Sequence, residues 1–205
     1  TARRLRLRIA LGTALEESGC ATTDLDRLVA ESIATHPHAS DHFPALLQAN
    51  GVTDPNRHQA ARDWYHRNRF HGLALFPDAL AVLRAVRAMP TVASVGLITN
   101  GPAEVQRDKI TLLGLWDEVD FAIISGELGI EKPHPGIFQA ALAMADATPQ
   151  TATHIGDSDE FDMLGAINAG LSTIWINPAS RPWPHPSPAP THTVATLTSI
   201  LPTFA

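Results

Sequence analysis

The chain has 205 residues, 44% of them hydrophobic and 18% charged, with a net charge of −6 and one cysteine, Cys20. That length suits one domain plus a smaller accessory one, and the composition is that of an ordinary globular protein. An acidic balance with no basic cluster argues against nucleic acid or an anionic membrane as the main partner; one cysteine excludes a disulfide framework, and no apolar run approaches the ~20 residues that span a bilayer.

Residues 1 to about 71 read as all helical, with no period-2 pattern. The basic, amphipathic start opens a helix whose apolar positions are Leu5, Leu7, Ile9, Leu11 and Leu15, with Gly19 as its stop. A second helix is expected from Thr23 or Asp24, with Leu25, Leu28, Val29 and Ile33 on one face and Pro37 at its end. A third runs from Asp41 to Gln48 and stops at Asn50-Gly51. A fourth follows Asp54-Pro55, where proline suits the first helical position, and carries Trp64, Tyr65 and Phe70. These three aromatics read as core rather than as a platform for stacking a base.

From residue 72 the pattern alternates. Helices are predicted at 77–89, 102–113, 135–145 and 161–169, and strands at 92–98, 121–124, 151–155 and 172–176. Residues 178–190 are proline-rich and read as an extended surface segment, and 193–200 as a last short strand and helix. Strands alternating with helices imply βαβ units. The expected architecture is therefore α/β: a Rossmann-like, mainly parallel sheet with helices on both faces over 72–205, and an all-helical domain over 1–71.

Three short segments carry chemistry, and each falls at a strand end, where an open α/β sheet binds its ligands. Gly156-Asp157-Ser158, with a further carboxylate at Asp162, offers clustered hard oxygen ligands of the kind that suit Mg²⁺ together with a substrate phosphate. Thr99-Asn100-Gly101-Pro102 joins a strand to a helix, so the Thr99 hydroxyl and the free N–H groups of the helix start could hold a phosphate; equally, Thr or Asn there is an ordinary cap. Lys132, in Gly129-Ile-Glu-Lys-Pro-His-Pro, could act as a point charge on phosphoryl oxygens or be a solvated loop residue; the two prolines favour a fixed role.

Taken in order, Thr-Asn-Gly, Lys-Pro and Gly-Asp-Ser-x-x-x-Asp resemble the second, third and fourth motifs of the haloacid dehalogenase superfamily of phosphatases. The resemblance covers residues 73–200, including Gln106, Lys109 and Gly165-Ala166-x-x-Ala169-Gly170, and is nearest to the nucleotidase-like and sugar-phosphate phosphatases. The helical first third resembles the small cap of many members. The resemblance implies that Thr99, Asn100 and the N–H of Gly101 bind the phosphoryl group. It implies that Lys132 neutralises charge on nucleophile and phosphate, that Asp157 binds Mg²⁺, and that Asp162 holds Lys132 or metal-bound water from outside the metal's own ligand set. It further implies an aspartyl-phosphate intermediate, general acid–base help from a second aspartate two residues on, and a small phosphorylated metabolite as substrate; the single Cys20 makes a reducing cytoplasm the default location.

The chain departs from the family at the first motif, an apolar strand ending Asp-x-Asp. The only Asp-x-Asp ahead of the Thr-Asn-Gly segment is Asp24-Leu25-Asp26, led in by Gly19-Cys-Ala-Thr-Thr and followed by an amphipathic helix, so Asp24 and Asp26 read as first-turn helix carboxylates. Thr1 is not Met. The expectation is that ~10–20 further residues, carrying a central strand and the nucleophile, lie ahead of Thr1, and that without them these residues do not turn over phosphate.

His36, His38 and His42 could form a metal cluster, but Pro37 breaks the helix and a substrate-facing or solvated loop is the preferred reading. Two other functions compete. A non-catalytic relative binding a phosphorylated ligand or partner would fit the absent nucleophile. A signalling receiver also uses Asp, Thr and Lys-Pro, but there the acidic pair comes before the lysine. A dinucleotide-binding fold is disfavoured because no Gly-x-Gly-x-x-Gly follows a strand.

Overall fold

The structure, a computed structural model, describes residues 2–16, 25–34, 42–186 and 188–204. It forms two compact units, Thr1–Ala74 and Leu75–Ala205. Among the described residues no helix is long and apolar enough to cross a membrane.

Among the described residues the first unit holds four helices: α1 (Ala2–Glu16), α2 (Leu25–Ala34), α3 (His42–Ala49) and α4 (Pro55–Arg67). Leu7 and Leu11 of α1, Leu28 and Val29 of α2, Phe43 and Leu47 of α3 and Tyr65 of α4 form its core, with Trp64 packed against it. Helix α4 starts where expected because Asp54 accepts the Asn56 N–H at 2.9 Å and Pro55 needs no partner. Two apolar expectations fail. Leu5 and Ile33 are exposed. The core position on α2 goes instead to Ser32, whose hydroxyl bonds His42 Nε2 at 2.8 Å in a buried pair. His42 is thus a satisfied core histidine standing edge-on to Phe43. Asp26 lies in the first turn of α2 and pairs with Arg8. Gly19, Asp24, His36, Pro37, His38 and Asp41 lie outside the described residues.

The second unit runs α5 (Ala79–Arg87), β1 (Gly96–Thr99), α6 (Ala103–Leu112), β2 (Phe121–Ile124), α7 (Ser125–Leu128), α8 (Pro135–Met144), β3 (Thr153–Gly156), α9 (Gly165–Asn168), β4 (Ser172–Ile176) and β5 (His192–Val194). Every strand pairing is parallel. The sheet comes in two pieces, β1-β2 and β3-β4-β5. Val82 and Val86 of α5 pack on β4 through Ile174, while Ile137 and Phe138 of α8 pack with Ile98 and Ile123 of β1 and β2.

Strand β1 is shorter than its apolar run. Asp120 explains this: its carboxylate accepts the Val95 N–H at 2.8 Å and its own N–H donates to Val95 O at 2.8 Å. The ladder therefore opens one residue later on each strand, at Gly96 opposite Phe121. Glycine at 96 leaves room for the Phe121 ring, whose outer edge a Cβ there would meet. Strand β3 likewise starts at Thr153, after a 3₁₀ turn at Pro149–Thr151 closed by reciprocal bonds between Thr148 and Thr151. The helix expected at 161–169 begins instead as a wider π-helical turn, Asp159–Leu164, started by Ser158, whose hydroxyl accepts the Phe161 N–H at 3.0 Å. Such turns are frequent at functional sites.

Candidate active site

The loops after β1, β2 and β3 meet at the carboxyl ends of their strands. Asn100, directly after β1, clamps the lysine loop by a reciprocal pair: Lys132 N–H donates to Asn100 Oδ1 at 2.8 Å, and Asn100 Nδ2 donates to Lys132 O at 2.9 Å. Gln106 of α6 holds the Asn100 carbonyl at 3.0 Å. The clamp fixes the backbone from which the Lys132 side chain projects.

The Lys132 ammonium donates to Ile98 O at 3.2 Å and to Asp162 Oδ1 at 2.6 Å. It is thereby held between the end of β1 and the turn after β3. Asp162 is buried and fully engaged. Its Oδ1 also meets His154 Nε2 at 3.1 Å, and its Oδ2 accepts the Ser158 N–H at 3.1 Å, which closes the acidic loop on itself. Burial is the largest influence on this carboxyl and raises its pKa. The His154 hydrogen bond and the charge and hydrogen bond of Lys132 together outweigh burial, so Asp162 lies well below the ordinary carboxylate range. Gly156 makes the contact possible, since a Cβ there would overlap the Asp162 carboxylate.

Asp157 differs. It is exposed, and among the described residues its carboxylate has no hydrogen bond or ion pair; its carbonyl accepts the Trp175 indole N–H at 3.1 Å. Asp159 is tied to the proline-rich segment, by His185 at 3.3 Å and Arg181 at 3.6 Å. Of the aspartates in this loop, then, Asp157 alone keeps both oxygens uncommitted. The Thr99 hydroxyl at the end of β1 is likewise uncommitted among the described residues. Gly101 is not. Its N–H, expected to face a phosphate, donates to Ser125 Oγ at 2.9 Å, and its carbonyl accepts from Gly126 at 3.1 Å.

Lys132, Asp157 and Asp162 line one cavity of about 870 Å³ together with Ile98, the residue before Thr99. The donors suit a hard cation only in part. One free carboxylate is what Mg²⁺ needs when phosphate and water complete its shell. Asp162 can act only through Lys132 and the loop. Among the described residues no group of three or more His, Cys, Asp or Glu side chains could hold a metal ion by themselves.

Sequence reasoning missed Ser125, His154 and Trp175. Ser125 was within reach, as a hydroxyl residue directly after an apolar strand. His154 was hidden inside a strand, and Trp175 acts on Asp157 only through β3–β4 pairing.

The sequence pattern of the haloacid dehalogenase-like hydrolases matches residues 16–170. The chain is 40% identical over 122 residues to pyrimidine 5'-nucleotidase YjjG of Escherichia coli, covering 59% of this chain and 52% of that protein. It is 34% identical over 154 residues to glyceraldehyde 3-phosphate phosphatase of Methanopyrus kandleri, covering 75% and 64%. The matches thus span between about half and two thirds of these relatives. Among solved structures, that of Bacillus subtilis YfnB bound to magnesium superposes with a TM-score of 0.67 at 21% identity, covering 99% of this chain and 81% of that one.

Proposed function

The chain belongs to the haloacid dehalogenase-like hydrolases, and from that premise we propose that it serves in a Mg²⁺-dependent phosphatase acting on a small phosphorylated metabolite. The observation that carries the reading is the posture of Lys132. Its ammonium is fixed between Ile98 O and Asp162 at the strand ends and lines the same cavity as the uncommitted Asp157.

Thr99 donates its hydroxyl to a phosphoryl oxygen. Lys132, oriented by Asp162 and by the Asn100 clamp, meets the charge of the phosphoryl group with a preorganised positive one, so little reorganisation accompanies reaction. Asp157 would hold Mg²⁺, and the ion would supply positive charge against the phosphoryl oxygens. Asp162 binds neither metal nor substrate; it positions Lys132 and the acidic loop. Among the described residues no strand precedes β1, and the family's phosphate-accepting aspartate is assigned to no residue here. The all-helical unit Thr1–Ala74 serves as the cap. The relatives named as a nucleotidase and a glyceraldehyde 3-phosphate phosphatase support a small phosphomonoester.

The test is Mg²⁺-dependent release of p-nitrophenol from p-nitrophenyl phosphate by the natural full-length protein. Activity lost on chelation and in Lys132→Ala supports the reading. An inactive full-length protein that still binds phosphate would make it a binding protein instead.

A further inference from the structure

The acidic loop after β3 is also held by β4 and the proline-rich segment that follows it. In the parallel register Trp175 stands opposite Gly156, and its indole N–H donates to the carbonyl of the next residue, Asp157, at 3.1 Å. Trp175 is itself fixed. It is buried, Arg181 lies over its ring at 5.3 Å, and Trp183 meets it edge-on at 5.4 Å. The buried Asn177 locks the turn between them by a reciprocal pair: Arg181 N–H donates to Asn177 Oδ1 at 3.1 Å, and Asn177 Nδ2 donates to Arg181 O at 2.8 Å. From that turn Arg181 and His185 reach the Asp159 carboxylate. The loop is thus tied at the Asp157 carbonyl and at Asp159, while the Asp157 carboxylate stays uncommitted.

We propose that Trp175 is a positioning residue for the Asp157 carboxylate, acting through the Asp157 carbonyl and setting the affinity of the cation site; this rests on the assignment of Mg²⁺ to Asp157 under the phosphatase reading. With one uncommitted carboxylate in the loop, affinity depends on how often that carboxylate is in place before the ion arrives. The Trp175 bond restrains the peptide from which it projects. Loss of the bond lowers the binding-competent fraction of the loop, and the apparent affinity falls by the same factor. A hydrogen bond of ordinary net strength corresponds to about a 3- to 10-fold change in such an equilibrium. Trp183 provides a matched comparison. It has the same ring and touches Trp175, but its indole nitrogen is buried with no hydrogen-bond partner among the described residues. The two indoles therefore separate the effect of the N–H from the effect of the ring.

The test measures Mg²⁺ binding to the natural full-length protein and three variants by titration calorimetry. Asp157→Ala should abolish binding. Trp175→Phe keeps an aromatic ring and loses the bond, so Mg²⁺ should bind about 3- to 10-fold more weakly. Trp183→Phe loses only an unpartnered N–H and should bind Mg²⁺ within about twofold of wild type. A second measurement needs no variant. In proton–nitrogen correlation spectra of the unaltered protein, the Trp175 indole resonance should shift as Mg²⁺ is added, with the calorimetric midpoint, and that of Trp183 should shift less. Unchanged affinity in Trp175→Phe, with binding lost in Asp157→Ala, would overturn the role of Trp175 and leave the cation site standing. Equal weakening in the two Trp→Phe variants would reduce the effect to ring packing and overturn it too, as would a Trp175 resonance unmoved at saturating Mg²⁺. Unchanged binding in Asp157→Ala would refute the assignment of Mg²⁺ to Asp157, and the role of Trp175 with it.

Discussion

Asp162→Asn removes the charge that the acidic loop and Lys132 share. The asparagine keeps the shape and can still accept the Ser158 N–H, but it leaves a lysine ammonium whose side chain is 13% exposed without its counter-charge. Breaking a fully buried pair costs about 3–5 kcal/mol; with this residual exposure we expect about 2–3 kcal/mol at pH 7. For a protein of this size that is a fall in Tm of ~4–12 °C. The pH dependence follows from the direction of the Asp162 shift. Its folded pKa is depressed, so the stability it adds is present above the unfolded value of ~3.9 and is lost as pH falls below it. Between pH 7 and pH 3 the gap between wild type and variant should close by roughly 1 kcal/mol. Urea unfolding of both proteins at several pH values measures it. A gap under about 0.5 kcal/mol at pH 7, within the range of ordinary surface changes, or a gap constant down to pH 3, would refute the reasoning.

Gly156→Ala should cost about 1–3 kcal/mol in urea unfolding, because its methyl overlaps the Asp162 carboxylate. Asn100→Ala removes both bonds of the clamp on Lys132 and should lower stability by about 1–3 kcal/mol; hydrogen exchange in the lysine loop should rise with it. Asp157→Ala should leave stability within about 0.5 kcal/mol, since no partner is lost, yet abolish Mg²⁺ binding followed by titration calorimetry. Unchanged Mg²⁺ affinity in that variant would remove Asp157 from the proposed metal site.

The parallel α/β character was legible because the strands at Phe121–Ile124 and Ser172–Ile176 are short runs of β-branched and aromatic residues with polar turns on either side. Strand starts were less legible. Val92 and Val95 look like strand residues and are instead packed against the helix side of the sheet, while Asp120 takes the Val95 N–H. Periodicity also misjudged Ser32 and Ile33, because the Ser32–His42 bond that buries the serine joins residues on two helices. At the site, Lys132 and Asp162 could be nominated from sequence only through resemblance. Their bond spans thirty positions, and nothing local encodes it. The bond from the Gly101 N–H to Ser125 joins residues 24 positions apart, so the sequence offered Ser125 only as a hydroxyl at a strand end and not its partner.

The central claim is that Thr99, Lys132 and Asp157 act on one phosphoryl group. A crystal structure of the natural full-length protein with orthophosphate and Mg²⁺ tests it most directly. The account predicts one phosphate within hydrogen-bonding distance, ~2.7–3.2 Å, of both Thr99 Oγ1 and Lys132 Nζ, with the cation between it and the Asp157 carboxylate. Phosphate bound elsewhere, or bound without contact to Lys132, would contradict it.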